Sequence, residues 1–194
     1  VDLVTAGVSS TSWFNYIKEA ADILDPTNAL IGKLVYAPVP VSVPANALGA
    51  GSPAMSFTLS LNILDYSMGK SAPADANALA GQLMGQLKRQ LAANGIPEGG
   101  LTAAATGVAG MIAANASFQS ALLLAQTVAT NVAANPWLKH VDTDAQGYAV
   151  VTASTGNLSC EFKKVNPLVG TSAPTGIIAS TKTVSLTAGS TTIS

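Results

Sequence analysis

Charge is the scarcest property of this sequence. Only 10% of the 194 residues are charged, against about 25% in a typical globular protein. Nine basic and ten acidic residues nearly cancel, so the chain lacks both the basic footprint of a nucleic-acid-binding protein and a polybasic membrane patch. A surface with so few charges is either covered by another chain or kept soluble by Ser, Thr, Asn and Gln.

Cysteine and histidine occur once each, as Cys160 and His140. A single cysteine excludes an internal disulfide framework and a thiolate-rich zinc site. The Gly-rich stretches also lack the GxxxxGK[ST] and GxGxxG spacings of phosphate-binding loops. The sequence starts at Val1 with no Met and no recognisable signal peptide, which favours a processed or truncated product. Its low charge and its Ala, Ser and Thr content favour a bacterial periplasmic or secreted protein.

The longest uncharged stretch runs from Gly99 to Leu138. A membrane span needs about 20 predominantly apolar residues, and polar residues interrupt this stretch too often, so we predict no transmembrane span. The stretch instead predicts two Ala-rich helices broken near Asn115 and Ser117. The interrupting residues are Asn115, Ser117, Gln119, Ser120, Gln126, Thr127 and Asn131.

The clearest predicted element is a helix between Pro73 and Pro97. Asp75 lies at its positive dipole end, and Gly95 provides a stop signal. One stripe of leucines recurs every four residues and predicts the buried face; it consists of Leu79, Leu83, Leu87 and Leu91.

The first third of the chain gives weaker patterns. An apolar stripe predicts a helix that Pro26 ends, with Trp13 anchoring a core; its members are Trp13, Ile17, Ala20, Ala21 and Leu24. A short helical turn is predicted from Ala29 to Leu34. Three prolines, Pro38, Pro40 and Pro44, favour an extended segment without regular ladder bonding. The residues from Met55 to Met68 fit a strand and a helix equally well.

From Trp137 onward the apolar period becomes two, which predicts an antiparallel meander with one wet face. Cys160 falls on the apolar face of its strand, so we predict a buried, inert thiol. The Ser/Thr-rich tail, 165–194, is expected to pack on a surface and to contain a late strand at Thr183 to Leu186.

His140, Asp142 and Asp144 alternate along the chain and form the only cluster that suggests a metal site. Metal ligands usually come from separated elements, and a His-x-Asp-x-Asp run before Gly147 is more typical of a solvated hairpin. The hairpin is therefore the favoured interpretation.

Two segments carry a resemblance to a known family. The stretch Asn135-Pro-Trp-Leu-Lys-His-Val-Asp142, followed by Gly147-Tyr-Ala-Val-Val151, resembles the C-terminal signature of PhoD-like alkaline phosphatases and phosphodiesterases. Trp137, His140 and Gln146 depart from that pattern, where the family has His, an aromatic residue and Arg. The opening Val1-Asp-Leu-Val-Thr-Ala-Gly-Val-Ser-Ser10 is similar to a strand and turn that follow the last metal-binding motif of the family.

The resemblance implies an α/β (α+β) fold, the C-terminal part of a metallophosphoesterase four-layer sandwich. Residues 1–164 would be the C-terminal portion of that domain, with an Ala-rich helical insert at about 38–131. It implies an iron and calcium centre in the whole enzyme. The metal-binding motifs of the family precede the segment that Val1 begins, so this chain is expected to hold no metal itself. A larger N-terminal chain of the same enzyme would hold the metals, and a heterodimer is expected.

The substrate implied is a phosphate monoester, a phosphodiester or a phospholipid. Loop positions beside the two family-like strands would line the rim of the substrate pocket, and they are Ser9, Ser10, Asn135 and Trp137. Helix capping explains the two serines equally well. Two alternatives stay open: an exported structural or adhesion-type module without catalysis, and a membrane-associated helical protein.

Overall fold

A computed structural model describes residues 11–47, 51–132, 138, 140–166 and 176–192. Over these residues the chain has an α+β fold with several helices and two small antiparallel sheets, which confirms the predicted class. The chain forms two compact units. The described residues of the first unit are 11–15, 144–166 and 176–192, and the second unit is Tyr16–Thr143.

The helices are α1 (Trp13–Leu24), α2 (Ile31–Val35), α3 (Leu64–Ser67), α4 (Ala76–Ala93), α5 (Glu98–Ala113) and α6 (Ala116–Val132). The strands are β1 (Tyr36–Val43), β2 (Met55–Asn62), β3 (Gly147–Ala153), β4 (Asn157–Val165) and β5 (Ile178–Thr187). The segment from Met55 to Met68, which fitted both a strand and a helix, contains one of each.

The second unit is built on a hairpin in which β1 pairs with β2 from Tyr36↔Asn62 to Val43↔Met55. The prediction that the prolines prevent regular ladder bonding was wrong. The Ile63 N–H donates to the Val35 carbonyl oxygen at 2.9 Å, so odd-numbered residues direct their backbone groups toward β2. Pro38 and Pro40 are both even-numbered and lie where no donor to β2 is needed.

The other edge of β2 is covered by side chains of α4. The Gln90 amide accepts a hydrogen bond from the Ser60 N–H at 2.8 Å and donates to the Ser60 carbonyl oxygen at 2.6 Å. Gln86 accepts from the Asn62 N–H at 3.1 Å. These amides replace a neighbouring strand and satisfy backbone groups that would otherwise be exposed at a sheet edge.

Three long helices complete the core of the second unit. The predicted leucine stripe of α4 is buried, and the Asp75 side chain caps the helix by accepting from the backbone N–H groups of Asn77 and Ala78. The two predicted Ala-rich helices are α5 and α6, and Asn115 in the break accepts a hydrogen bond from the Phe118 N–H. Packing of α4 on α5 and β2, and of α6 on β1, buries the apolar face of the hairpin.

Helix α1 has a different buried side from the one predicted. Trp13 is 51% exposed, and Leu24 is also exposed, whereas Phe14 is 2% exposed and Ala21 is buried. The expectation that Trp13 anchors a core was therefore wrong. Apolar residues occupy two sides of this helix; of the predicted stripe only Ala21 is buried, while Trp13 and Leu24 are exposed.

The first unit contains the predicted meander, a three-stranded antiparallel sheet in the order β3-β4-β5. Cys160 pairs with Val151 and Val184 across the sheet and is buried, as predicted. Burial raises the pKa of its thiol, which favours the unreactive protonated form. The late strand predicted at Thr183 to Leu186 lies within the longer β5.

None of the described helices is by itself long and apolar enough to cross a membrane. Only α5 and α6 taken together reach the required length and composition, and the two helices are bent by 70° at the break between them.

Candidate functional site

The four residues expected at a substrate rim, Ser9, Ser10, Asn135 and Trp137, lie outside the described residues. The structure therefore does not test that expectation. It does describe the last residues of the family-like stretch, 140–142, together with Thr143, which follows them, and the contacts that hold Thr143.

The alternating residues His140, Asp142 and Asp144 do not form a metal site. Across the ranges that the structure covers, no group of three or more His, Cys, Asp or Glu side chains could hold a metal ion. His140 is exposed, and Asp142 lies near Tyr66 and Arg89, where its negative charge influences the pKa of both. The iron and calcium implied by the resemblance do not fit the described side chains of this chain.

A buried polar network joins the end of this stretch to the hairpin. Its members are Asn62 at the end of β2, Asp65 in α3, Lys70 and Thr143, and we call it the Asp65 network. Asn62, Asp65 and Thr143 are all buried. Burying a carboxylate is costly unless it is fully hydrogen-bonded, so the partners of Asp65 decide whether this arrangement is stable.

Asp65 accepts four hydrogen bonds. Its Oδ1 accepts from the Thr143 N–H at 2.9 Å, from the Thr143 Oγ1 hydroxyl at 2.6 Å and from the Asn62 Nδ2 amide at 3.2 Å. Its Oδ2 accepts from the Lys70 ammonium at 3.1 Å. An ionised carboxylate has about four lone-pair sites, two on each oxygen, so the three donors on Oδ1 use that oxygen fully, whereas Lys70 is the one donor described on Oδ2.

Asn62 orients the other members of the network. Its Nδ2 group also donates to Thr143 Oγ1 at 2.9 Å, and its Oδ1 accepts from the Asp65 N–H at 3.2 Å. Every hydrogen-bonding group of the Asn62 side chain is therefore used, and the hydroxyl of Thr143 both donates and accepts. Such closure fixes the orientation of all three side chains.

Lys70 and Tyr66 close the network on the α3 side. The Lys70 ammonium lies 5.7 Å from the centroid of the Tyr66 ring, a cation–π distance. The Tyr66 hydroxyl donates to Gln82 Oε1 at 2.8 Å. Burial, together with the negative charges of Asp65 and Asp142, raises the pKa of Tyr66, so its hydroxyl is a donor throughout the physiological pH range.

Sequence reasoning missed Asn62, Asp65 and Lys70. The available signal was a carboxylate in an apolar context: Asp65 follows Asn62-Ile-Leu in a chain with only ten acidic residues. The chemical capacity of Asp65 is limited by its burial and by the donors that already bind both of its oxygens. The arrangement can hold a backbone segment in one place, but it presents no free base or nucleophile.

Comparisons of the chain with protein-family models, with curated proteins and with solved structures found no match.

Proposed function

We propose that this chain is the smaller, C-terminal subunit or fragment of a metal-dependent phosphoric ester hydrolase of the PhoD-like type. Its role is to wall the active site, while the larger N-terminal chain of the same enzyme holds the iron and calcium. The substrate is a phosphate monoester or a phosphodiester, phospholipids included. We place the enzyme in the bacterial periplasm or outside the cell.

The observation that most supports this proposal is the agreement between the resemblance and the start of β3. In the family-like pattern Gly-Tyr opens a hydrophobic strand, and here β3 begins at Gly147 and pairs with β4 up to Ala153. Gly147 is also required sterically, because a Cβ at this position would overlap the Lys163 carbonyl oxygen. The family-like glycine is therefore a residue that the strand pairing needs.

The proposed division of labour assigns metal binding to the other chain. The described residues offer no cluster of metal ligands, so no step of metal chemistry is assigned to them. In the proposed enzyme this chain contributes the last strands of the four-layer sandwich. It also contributes the residues at the rim of the pocket, which are Ser9, Ser10, Asn135 and Trp137.

The test is to express the chain together with the coding region upstream of it and to purify the product as one complex. We expect bound iron and calcium, and hydrolysis of p-nitrophenyl phosphate or bis(p-nitrophenyl) phosphate that a chelator abolishes. The chain expressed alone is the matched control and should be inactive. Native mass spectrometry that finds only a lone 19.4 kDa monomer, without metal, would contradict the proposal and favour an exported structural module.

Replacing Asn135 or Trp137 with Ala in the complex tests the assignment of the rim. The preference between the monoester and the diester should change while the metal content stays constant. Loss of iron on changing Asn135 or His140 would show instead that this chain contributes metal ligands.

A further inference from the structure

Residues 140–143 have no regular secondary structure of their own. They lie between α6 and β3; residues 140–142 end the stretch that resembles the PhoD-like signature, and Thr143 directly follows it. The next strand, β3, begins to pair at Gly147. The contacts described for Thr143 are hydrogen bonds to side chains.

The Asp65 network supplies those contacts from a distant part of the sequence. Asp65 is 78 residues from Thr143 and binds both its N–H and its hydroxyl. Asn62 binds the same hydroxyl from a second direction. Thr143 is held through its backbone N–H and its side-chain hydroxyl at once. The network therefore fixes where the segment lies as well as holding it in place.

We propose that Asp65 is a positioning residue, which through Thr143, the residue directly after the family-like stretch 135–142, holds the end of that stretch in the single geometry that the active-site wall requires. The catalytic part of this inference rests on the proposed function. Asp65 does not act on the substrate itself, because it is buried and both of its carboxylate oxygens accept hydrogen bonds from within the network.

A purely stabilising role would not require this chemistry. Well-packed apolar residues commonly replace a buried ion pair without loss of stability, and such residues would cover the end of β2 as well. Directional hydrogen bonds to Thr143 do what apolar contacts cannot, since they exclude alternative placements of the segment.

The experiment compares Thr143→Val with Thr143→Ser in the complete complex, using hydrogen exchange read by mass spectrometry. Valine removes the hydroxyl and keeps the shape, whereas serine keeps the hydroxyl and serves as the matched control. We expect exchange in peptides covering residues 138–146 to rise at least about tenfold in T143V, because hydrogen bonds to charged groups are the strong ones. Peptides from α4 should stay unchanged, and T143S should resemble the wild type.

Lys70→Met is a second, milder variant. It removes the Oδ2 contact and the cation–π contact with Tyr66, and leaves the bonds to Thr143 in place. Because Lys70 is partly exposed, this variant should fold even if T143V does not. A smaller rise in exchange, confined to the same peptides, is expected. Unchanged exchange of residues 138–146 in both variants would overturn the inference, and so would a uniform rise over the whole chain.

Kinetics of the same complexes separate this inference from the proposed function. T143V should raise KM for bis(p-nitrophenyl) phosphate by about tenfold with unchanged metal content, if the binding energy lost equals one strong hydrogen bond. If T143V raises hydrogen exchange in residues 138–146 but leaves KM and kcat unchanged, the anchoring of the segment has no effect on the reaction. That result would overturn the positioning role. A wild-type complex that hydrolyses no phosphate ester would overturn the proposed function and with it the catalytic part.

Discussion

Replacing Asp65 with Ala should be one of the most destabilising single changes in the second unit. The change removes the acceptor of four hydrogen bonds and leaves buried donors on Asn62 and Thr143 without a partner. The Lys70 ammonium left behind is partly exposed, so the cost comes from the buried donors, and each costs about 1–3 kcal/mol when it is left without a partner. A domain is typically stable by about 5–15 kcal/mol, so D65A should lose a large part of its stability.

Asp65→Asn separates the cost of losing the Lys70 contact from the cost of losing the contacts with Thr143. Asparagine keeps an oxygen that can accept from Thr143, but it places an amide N–H group against the Lys70 ammonium, where Oδ2 now accepts at 3.1 Å. The loss should be about 1.5–3 kcal/mol, the range for a hydrogen bond to a charged group. D65N should therefore lie between the wild type and D65A.

Urea unfolding followed by circular dichroism measures both variants. The midpoint should fall in the order wild type, D65N and D65A with a constant slope, since a constant slope means that the surface exposed on unfolding is unchanged. Glu161→Gln is the matched control, because the Glu161 carboxylate pairs with Lys163 at 3.0 Å but its side chain is 43% exposed. An exposed pair contributes about 0–1 kcal/mol. A loss in D65A no greater than that of E161Q would refute the argument that the network is buried and closed.

Three further predictions concern acid stability, thiol reactivity and the core. Three backbone N–H groups lower the pKa of Asp25 to about 2 from its ordinary value of 3.8. The stabilising effect of Asp25 is therefore complete above pH 3.8 and disappears as the pH falls through 2. The difference in melting temperature between wild type and Asp25→Ala should shrink over that interval, and a constant difference would contradict the assignment of the lowered pKa to these hydrogen bonds. Cys160 should react with a thiol reagent at pH 8 only after denaturation, because burial raises its thiol pKa; equal rates before and after denaturation would show that it is accessible. Leu87→Ala should cost about 2–5 kcal/mol, whereas Leu123→Ala, at a position 66% exposed, should stay within about 0.5 kcal/mol; equal midpoints in urea would contradict the assignment of the core.

The elements predicted correctly are those whose signals lie close together in sequence. Helix α4 carries its cap at Asp75, its buried leucines at a spacing of four and its stop at Gly95, where φ is +89°. Each of these features acts within one or two helical turns. No knowledge of the rest of the chain was needed to recognise the helix or its buried face.

The two wrong predictions concern features that depend on residues distant in sequence. Whether Pro38 and Pro40 disrupt pairing depends on which edge of β1 faces a partner, and only the register with β2 decides that. Whether Trp13 or Phe14 is buried depends on which side of α1 meets the rest of the fold. In both cases the local sequence pattern fits two arrangements equally well, and tertiary contacts determine which one forms.

The Asp65 network was beyond sequence reasoning for a related reason. Its two halves are separated by 78 residues, and neither half contains a recognisable motif. Asn62 and Asp65 follow a strand in a manner common at any helix start, and Thr143 stands between two aspartates that attract attention as metal ligands. The neighbours of Thr143 suggested chemistry, while Thr143 itself makes the buried contacts.

This separation explains why the sequence shows the resemblance of the family-like stretch but does not show which residues anchor it. The resemblance rests on residues consecutive in sequence, and the strand at Gly147 depends on its immediate neighbours. The position of residues 140–143 depends instead on Asn62 and Asp65, which belong to the helical region expected to be an insert. If that region only filled space, its apolar core would suffice, and a buried carboxylate would be a disadvantage. The closed hydrogen bonding around Asp65 therefore indicates that the helical region also determines the geometry of the segment it precedes.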